Sequence, residues 1–370
     1  MKFGMGFSKN EDSRSAVEEA AEKALNGRPV FSMIFTTGGY KQEDIVETAN
    51  ELFKGSKFIG ICGAGILTSK KTLKRGVGVL TFYGDINVET SIQKPGDDPK
   101  KVGRTAGTDL LKTGISGGTV FVFPESSSKN ISETVTSLYN TMGPDYTYLG
   151  GVSGYDFDSN SCQFTEIGVA NGGFAAVLVE GLSIKTACGH GWKPRNVPLI
   201  MNRVQNKKVL EINGKTALEV YREEADAFNT TELKMYGIPN PLGFPDLDGN
   251  FMIRDPIEIN QDGSMDFLTE IPAHSLGYLM EADLDDIVKN THEVAEAIMK
   301  QGRKPYLLLV FNCLFYYNLV KRKSKGISLR DIFHDVSVFG VLTFGEVGSY
   351  SEVPMLQNKT LVIAAVYGDE

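Results

Sequence analysis

The sequence predicts an α/β to α+β protein whose mixed sheets are built from one α-β-α-β-β unit used three times. Three observations point there. A phrase of strand, helix, Gly-marked strand and second strand recurs at residues 30–84, 119–181 and 306–368, each time behind an amphipathic helix. Its strands are short runs rich in Val, Ile, Phe and Tyr, the composition of buried strands. Residues 186–280 break the phrase with turn pairs such as Asn213-Gly214, which reads as an inserted α+β segment. Three units are few for an open solenoid, so a closed or pseudo-symmetric body is expected.

The first copy opens with a helix at 15–27, where Val17, Ala20, Ala21, Ala24 and Leu25 form one stripe and Gly27 and Pro29 stop it. A strand at 30–35, a helix at 44–53 and strands at 58–65 and 76–84 follow. The second copy repeats this with a helix at 102–111, a strand at 119–123, a helix at 131–141 and strands at 148–154 and 172–181. The insert offers a strand at 208–212, a helix at 217–227, and hairpins at Asp248-Gly249 and Asp262-Gly263. Its Pro-rich stretch 238–245 reads as an ordered loop or a lid. The third copy begins with the strongest stripe, from Leu284 to Met299, with Asp283 and Asp286 suited to the positive first turn. A strand at 306–311, a short helix at 328–334 and strands at 338–348 and 359–368 complete it. Each strand–helix–strand should be a right-handed parallel crossover, and the last two strands of each copy, joined without a helix, should pair antiparallel. Two domains are expected: residues 1–185 with two copies, and 186–370 with the insert and the third copy from about 283.

The 370 residues, 41% hydrophobic, can bury a sizeable core. A net charge of -8 argues against a nucleic-acid partner, and the basic run 321–325 reads as a solvated loop. The four cysteines form no C-x-x-C pair and suit buried thiols in a reducing compartment. The N-terminus lacks the form of a signal peptide, and no apolar run spans a bilayer. A cytoplasmic protein without a membrane partner is expected.

Several familiar motifs fail. Asn213-Gly214-Lys215-Thr216 has Val209 where a phosphate loop needs its first glycine. Gly63-Ala64-Gly65 is followed by Thr68 where a dinucleotide fingerprint needs glycine. Gly151-Val152-Ser153-Gly154 is not spaced as a nucleophile elbow, and the four histidines show no metal spacing. No catalytic residue, metal or cofactor is assigned.

Four constellations remain. His190 and Trp192, the single tryptophan, lie between glycines, as a ligand contact or as a tight turn capping the core. Arg254 can grip a carboxylate, with Asp255 either its structural partner or the acceptor of a ligand amine. Gly345-Glu346 puts an acid at a Gly-lined strand end where the other copies have none, as a specialised site or a surface turn. Cys313 ends a buried strand, as a reactive thiol or an inert one. The Gly-marked turns near Gly63, Gly151 and Gly345 would face a common centre, with the insert closing over it.

These phrases together resemble the FIST family of paired sensory domains, over nearly the whole chain. Residues 58–65 and 148–151 carry the N-terminal resemblance. The C-terminal one rests on His190-Gly191-Trp192, residues 212–221, Asn240-Pro241-Leu242-Gly243, Arg254-Asp255-Pro256, Phe344-Gly345-Glu346 and Asn358-Lys359-Thr360-Leu361. One departure is that Cys313 is followed by Leu314, Phe315 and Tyr316, where the family has small residues and an arginine. The resemblance implies an intracellular sensory module for a small ligand, an amino acid or small carboxylate, signalling through a separate protein. Arg254 would pair a ligand carboxylate, and Glu346 or Asp255 an amine. The alternatives are an enzyme using Cys313, His190 and Glu346, or a haem-based gas sensor with His190, His274 or His334 as nominal ligands.

Overall fold

Strand follows helix in each copy because buried β-branched and aromatic runs alternate with one-sided apolar helices. The computed structural model describes residues 2–96, 98–128, 130–154, 162–225, 240–299, 304–324, 336–349 and 353–368. The first copy runs β1 (Lys2–Ser8), α1 (Ser13–Ala24), β2 (Phe31–Thr37), α2 (Gln42–Phe53), β3 (Lys57–Gly63), β4 (Gly65–Thr68), β5 (Thr72–Leu73) and β6 (Val77–Tyr83). The second runs β7 (Asn87–Gln93), α3 (Pro99–Leu111), β8 (Gly118–Pro124), α4 (Ile131–Met142), β9 (Tyr146–Gly151), β10 (Cys162–Thr165), β11 (Gly168–Asn171) and β12 (Phe174–Glu180). After β13 (Ser183–Gly189) comes the insert: β14 (Lys193–Gln205), β15 (Lys208–Ile212), β16 (Lys215–Thr216), α5 (Ala217–Glu224), β17 (Leu242–Pro245), β18 (Phe251–Arg254), β19 (Pro256–Ile259), β20 (Met265–Phe267) and β21 (Leu276–Glu281). The third copy resumes with α6 (Leu284–Met299), β22 (Leu307–Cys313), α7 (Leu314–Ser324), β23 (Ser337–Thr343), β24 (Glu346–Gly348), β25 (Met355–Gln357) and β26 (Leu361–Tyr367).

Three six-stranded sheets and one eight-stranded sheet result. The crossovers are parallel as expected: β2 with β3, β8 with β9, and β22 with β23. The expected direct pairing of each copy's last two strands does not occur. β6 runs antiparallel beside β2, on the side away from β3, and β12 and β26 do the same beside β8 and β22. The cause is a short hairpin that leaves each copy. β4–β5 joins β23, β10–β11 joins β3, and β24–β25 joins β9, so the chain returns on the far side of its own central strand. The first and third Gly-marked runs therefore each split into two strands of different sheets. The exchange is cyclic, and it ties the three sheets into a closed ring.

The ring closes over one core. Phe35, Phe123 and Phe311, one from each central strand, meet edge-on or tilted at centroid distances of 6.2, 6.1 and 5.8 Å. Rings in this range gain beyond their buried area. A second cluster on the other face of the third sheet packs Leu308, Val310 and Ile363 against Ile287, Val294 and Ile298 of α6. The expected helix at 328–334 lies outside the described residues, as do residues 226–227 of the expected insert helix and 238–239 of the Pro-rich stretch. A helix that the sequence reading missed, α7, starts directly after Cys313. Among the described residues no helix is long and apolar enough to cross a membrane.

Candidate functional site

The third copy and the insert bury a set of charged and polar side chains between them. Asp255, leaving β18, is fully buried, and so is Lys359, just before β26; Lys359 Nζ lies 3.2 Å from Asp255 Oδ1. Lys359 is one of the few non-glycine residues with positive φ, at 47°. That backbone sends its stem inward, where Nζ sits 5.2 Å from the Trp192 ring centre and 5.9 Å from that of Phe315. Two aromatic faces and one carboxylate thus hold a buried cation. Burial pushes the Asp255 carboxyl up to about 6 although Lys359 opposes it.

Asn358 ties the same place to the insert. Its Oδ1 accepts from Thr269 Oγ1 at 2.7 Å and from the Asp255 N–H at 3.4 Å. Glu346 is also fully buried and accepts from Thr343 Oγ1 at 2.6 Å. Burial raises its carboxyl well above the usual range, against the hydrogen bonds from Thr343 and the Thr360 N–H. Cys313 lies beside it at the junction of β22 and α7. Burial and the nearby Glu346 push its thiol well up, although N–H groups of Tyr316 and Phe315 at the helix start favour the thiolate. Such a thiol is inert at neutral pH.

Arg254 points the other way, since successive residues of an extended chain face opposite sides. The expected Arg254–Asp255 pair is therefore not formed. Arg254 is only 2% exposed. Nε donates to Glu270 O at 2.7 Å, Nη1 to Leu356 O at 2.8 Å and Ile253 O at 3.1 Å, and Nη2 to the Met252 thioether at 2.8 Å. Among the described residues it meets no carboxylate oxygen. Burial lowers it to about 10, with Glu270 opposing. It lines a cavity of about 300 Å³ with Glu270, Ser132, Thr136, Met252 and Leu356. Glu270 caps α4, accepting from the Ile131 N–H and from Ser132 Oγ at 2.9 Å. On the other face of that first turn, Ile131 and Thr134 line a larger cavity of about 360 Å³ walled by Pro95, Pro99, Pro124 and Phe174.

His190 and Trp192 join the cluster differently. The Trp192 N–H donates to His190 Nδ1 at 2.9 Å, so Nε2 carries the proton and donates to Phe251 O at 3.2 Å. Both ring nitrogens are engaged, and burial lowers His190 to about 4. It fastens the end of β13 to β18, while Trp192 covers Lys359. A base role toward Cys313, or a bond to haem iron, would break this clamp. His274 is exposed in a turn, and His334 lies outside the described residues.

The Gly-marked turns do meet. The Val152 N–H donates to Gly345 O at 2.8 Å, and the Ala64 N–H to Leu342 O at 2.9 Å. Gly151 stands opposite Glu346 in the β9–β24 ladder. These glycines leave little room for a Cβ. A methyl on Gly63 would lie 2.3 Å from Val341 Cγ2 and 2.6 Å from Leu342 O, and one on Gly151 2.4 Å from Thr343 Cγ2. Gly63→Ala is expected to cost about 1–3 kcal/mol in urea unfolding without changing ligand affinity; wild-type stability would show that the turns have slack.

Of the residues marked in the sequence, Asp255, Glu346, Trp192 and Cys313 lie around the buried Lys359, whereas Arg254 lies apart on the opposite side of the chain; Lys359 and Glu270 were not among the marked residues. Lys359 stands in one of the family phrases, Asn358-Lys359-Thr360-Leu361, where only its identity, a lysine entering a fully apolar strand, could have marked it. Glu270 gives no local signal, because its partner is a helix start 139 residues away.

The FIST N domain model matches residues 30–215, and the FIST C domain model matches residues 217–349. An uncharacterized protein of Methanocaldococcus jannaschii is 25% identical over 312 residues, which are 75% of this chain and 59% of that protein. The chain thus spans well under two thirds of that relative's length.

Proposed function

Because the chain belongs to the FIST family, whose domains are sensory, we propose that it senses a small zwitterion, an amino acid foremost, in the cavity at Arg254. One observation carries this reading: a buried guanidinium that meets no carboxylate among the described residues faces a cavity it shares with the carboxylate of Glu270. The ligand carboxylate takes the planar fork, displacing the weak thioether acceptor of Met252. The ligand amine meets Glu270. A space of about 300 Å³ is at the small end of ligand sites and suits a compact metabolite.

This differs from the expectation that Asp255 or Glu346 receives the amine. Asp255 already faces Lys359, and the Glu346 carboxyl, which burial pushes well up, accepts from Thr343. Their role is to join the cavity wall to the core. Thr269, next to Glu270, holds Asn358, so ligand-driven movement of Glu270 reaches both the Lys359 cluster and the first turn of α4. Output then passes to a separate signalling protein.

Two variants test the polarity of the site by calorimetric titration. Glu270→Gln should weaken an amino acid about tenfold or more, the loss of a charge-assisted bond, and leave the matching deaminated carboxylate unaffected. Arg254→Lys should weaken both. Wild-type affinity in the two variants would remove the cavity from consideration.

A further inference from the structure

The ring of exchanged hairpins places two cysteines of different copies across from each other. β10 of the second copy runs antiparallel to β3 of the first, with Thr165 opposite Ile59, Phe164 opposite Gly60 and Gln163 opposite Ile61. One further step along this register brings Cys162 opposite Cys62. Both are thiols and both are 4% exposed. They are close enough for the charge of one to raise the other. They share a sheet face with Gly60, across which the Phe164 ring lies, so no side chain of β3 stands between that ring and the strand. Opposed residues on an antiparallel pair have Cβ atoms about 4.5–5.5 Å apart, and a disulfide needs about 3.5–4.5 Å. The gap is small, and it falls at the end of the β3–β10 ladder, where the β10 backbone can close it.

We propose that Cys62 and Cys162 form a reversible disulfide that staples the second copy's hairpin to the first copy's sheet under peroxide. The two thiols lose two protons and two electrons. A peroxide takes them up: one sulfur is first oxidised to a sulfenic acid with release of one water, and the second sulfur then displaces the other water as the S–S bond forms. The bond closes a loop of roughly a hundred residues, the regime in which a cross-link restrains the unfolded chain most. Burial, the neighbouring Cys62, Glu43 and Glu125 all hold the Cys162 thiol up. The reaction is therefore slow in the closed fold, runs through local opening of the hairpin, and accelerates with rising pH.

The experiment treats the whole protein with hydrogen peroxide and follows intact mass, peptide mapping without reductant, and melting temperature. The expected result is loss of two hydrogen masses, a cross-linked pair of peptides holding Cys62 and Cys162, and a melting temperature raised by about 5 °C or more. A dithiol should reverse all three. Cys62→Ser and Cys162→Ser should each abolish the cross-link, and Cys188→Ser should leave it intact. A cross-link through Cys188 or Cys313, a link between two molecules, or sulfinic acid at Cys162 without a cross-link would each overturn the proposal. So would the absence of any cross-linked peptide at a peroxide level that converts methionines of the chain to sulfoxide.

Discussion

Lys359→Met should destabilise the protein by about 3–5 kcal/mol, the cost of stranding one partner of a buried pair. Methionine keeps the apolar stem between Trp192 and Phe315, so little packing is lost. What goes is the only cation within 4 Å of Asp255 among the described residues, 3.2 Å away in a place where neither side chain reaches water. The decisive companion is Asp255→Asn combined with Lys359→Met. A buried ion pair is often nearly balanced against an uncharged replacement, so the double variant should recover most of the loss. The two changes are then strongly non-additive in urea unfolding. Equal, additive losses would mean that Asp255 and Lys359 are held by other groups and do not depend on each other.

The second large effect is in pH dependence. Asp255 rises from 3.8 in the open chain to about 6 in the fold. Below pH 4 both states hold the proton and the group contributes nothing. Between the two values the folded state holds more protons than the unfolded state, so stability falls as pH rises. A shift of this size is worth about 3 kcal/mol. His190 acts in the opposite sense. Its folded value is lowered from 6.5 to about 4, so in that window the unfolded state holds more protons and stability rises with pH. The two slopes largely cancel in the wild-type protein. Asp255→Asn removes one of them. Its stability should climb relative to wild type by about 3 kcal/mol from pH 4 to pH 6, whatever constant penalty the substitution brings. Parallel profiles would show that Asp255 titrates as it does in the open chain and is not buried as described.

Much of the fold was legible because burial leaves a period in the sequence. The stripe from Leu284 to Met299 gave α6, and the runs 30–35 and 119–123 gave central strands that extend by only a few residues. The hairpin exchange was not legible. Gly63-Ala64-Gly65 reads as one continuing strand, and the break there comes from the Leu342 carbonyl of another copy, which receives the Ala64 N–H. Nor was α7, since Leu314, Phe315, Tyr316 and Tyr317 have the composition of a strand; the helix follows from packing on the third sheet, where Tyr316 reaches Thr291 of α6 at 2.8 Å. The adjacency of Arg254 and Asp255 suggested a pair. Strand alternation separates them, and that rule could have been applied to the sequence alone. Lys359 was hidden for a different reason: a lone lysine beside Asn358 looks like a surface turn until the aromatic rings above it are known.

The most direct test of the sensing account is a thermal-shift comparison of matched ligands on the unaltered protein. Each amino acid is paired with its deaminated carboxylate and its decarboxylated amine. A ligand that binds only the folded state raises the melting temperature by mass action. The account predicts that at least one amino acid gives a saturable shift larger than either of its two half-ligands, because Arg254 and Glu270 act together. A shift that the carboxylate alone reproduces in full, or no shift from any zwitterion, would contradict it.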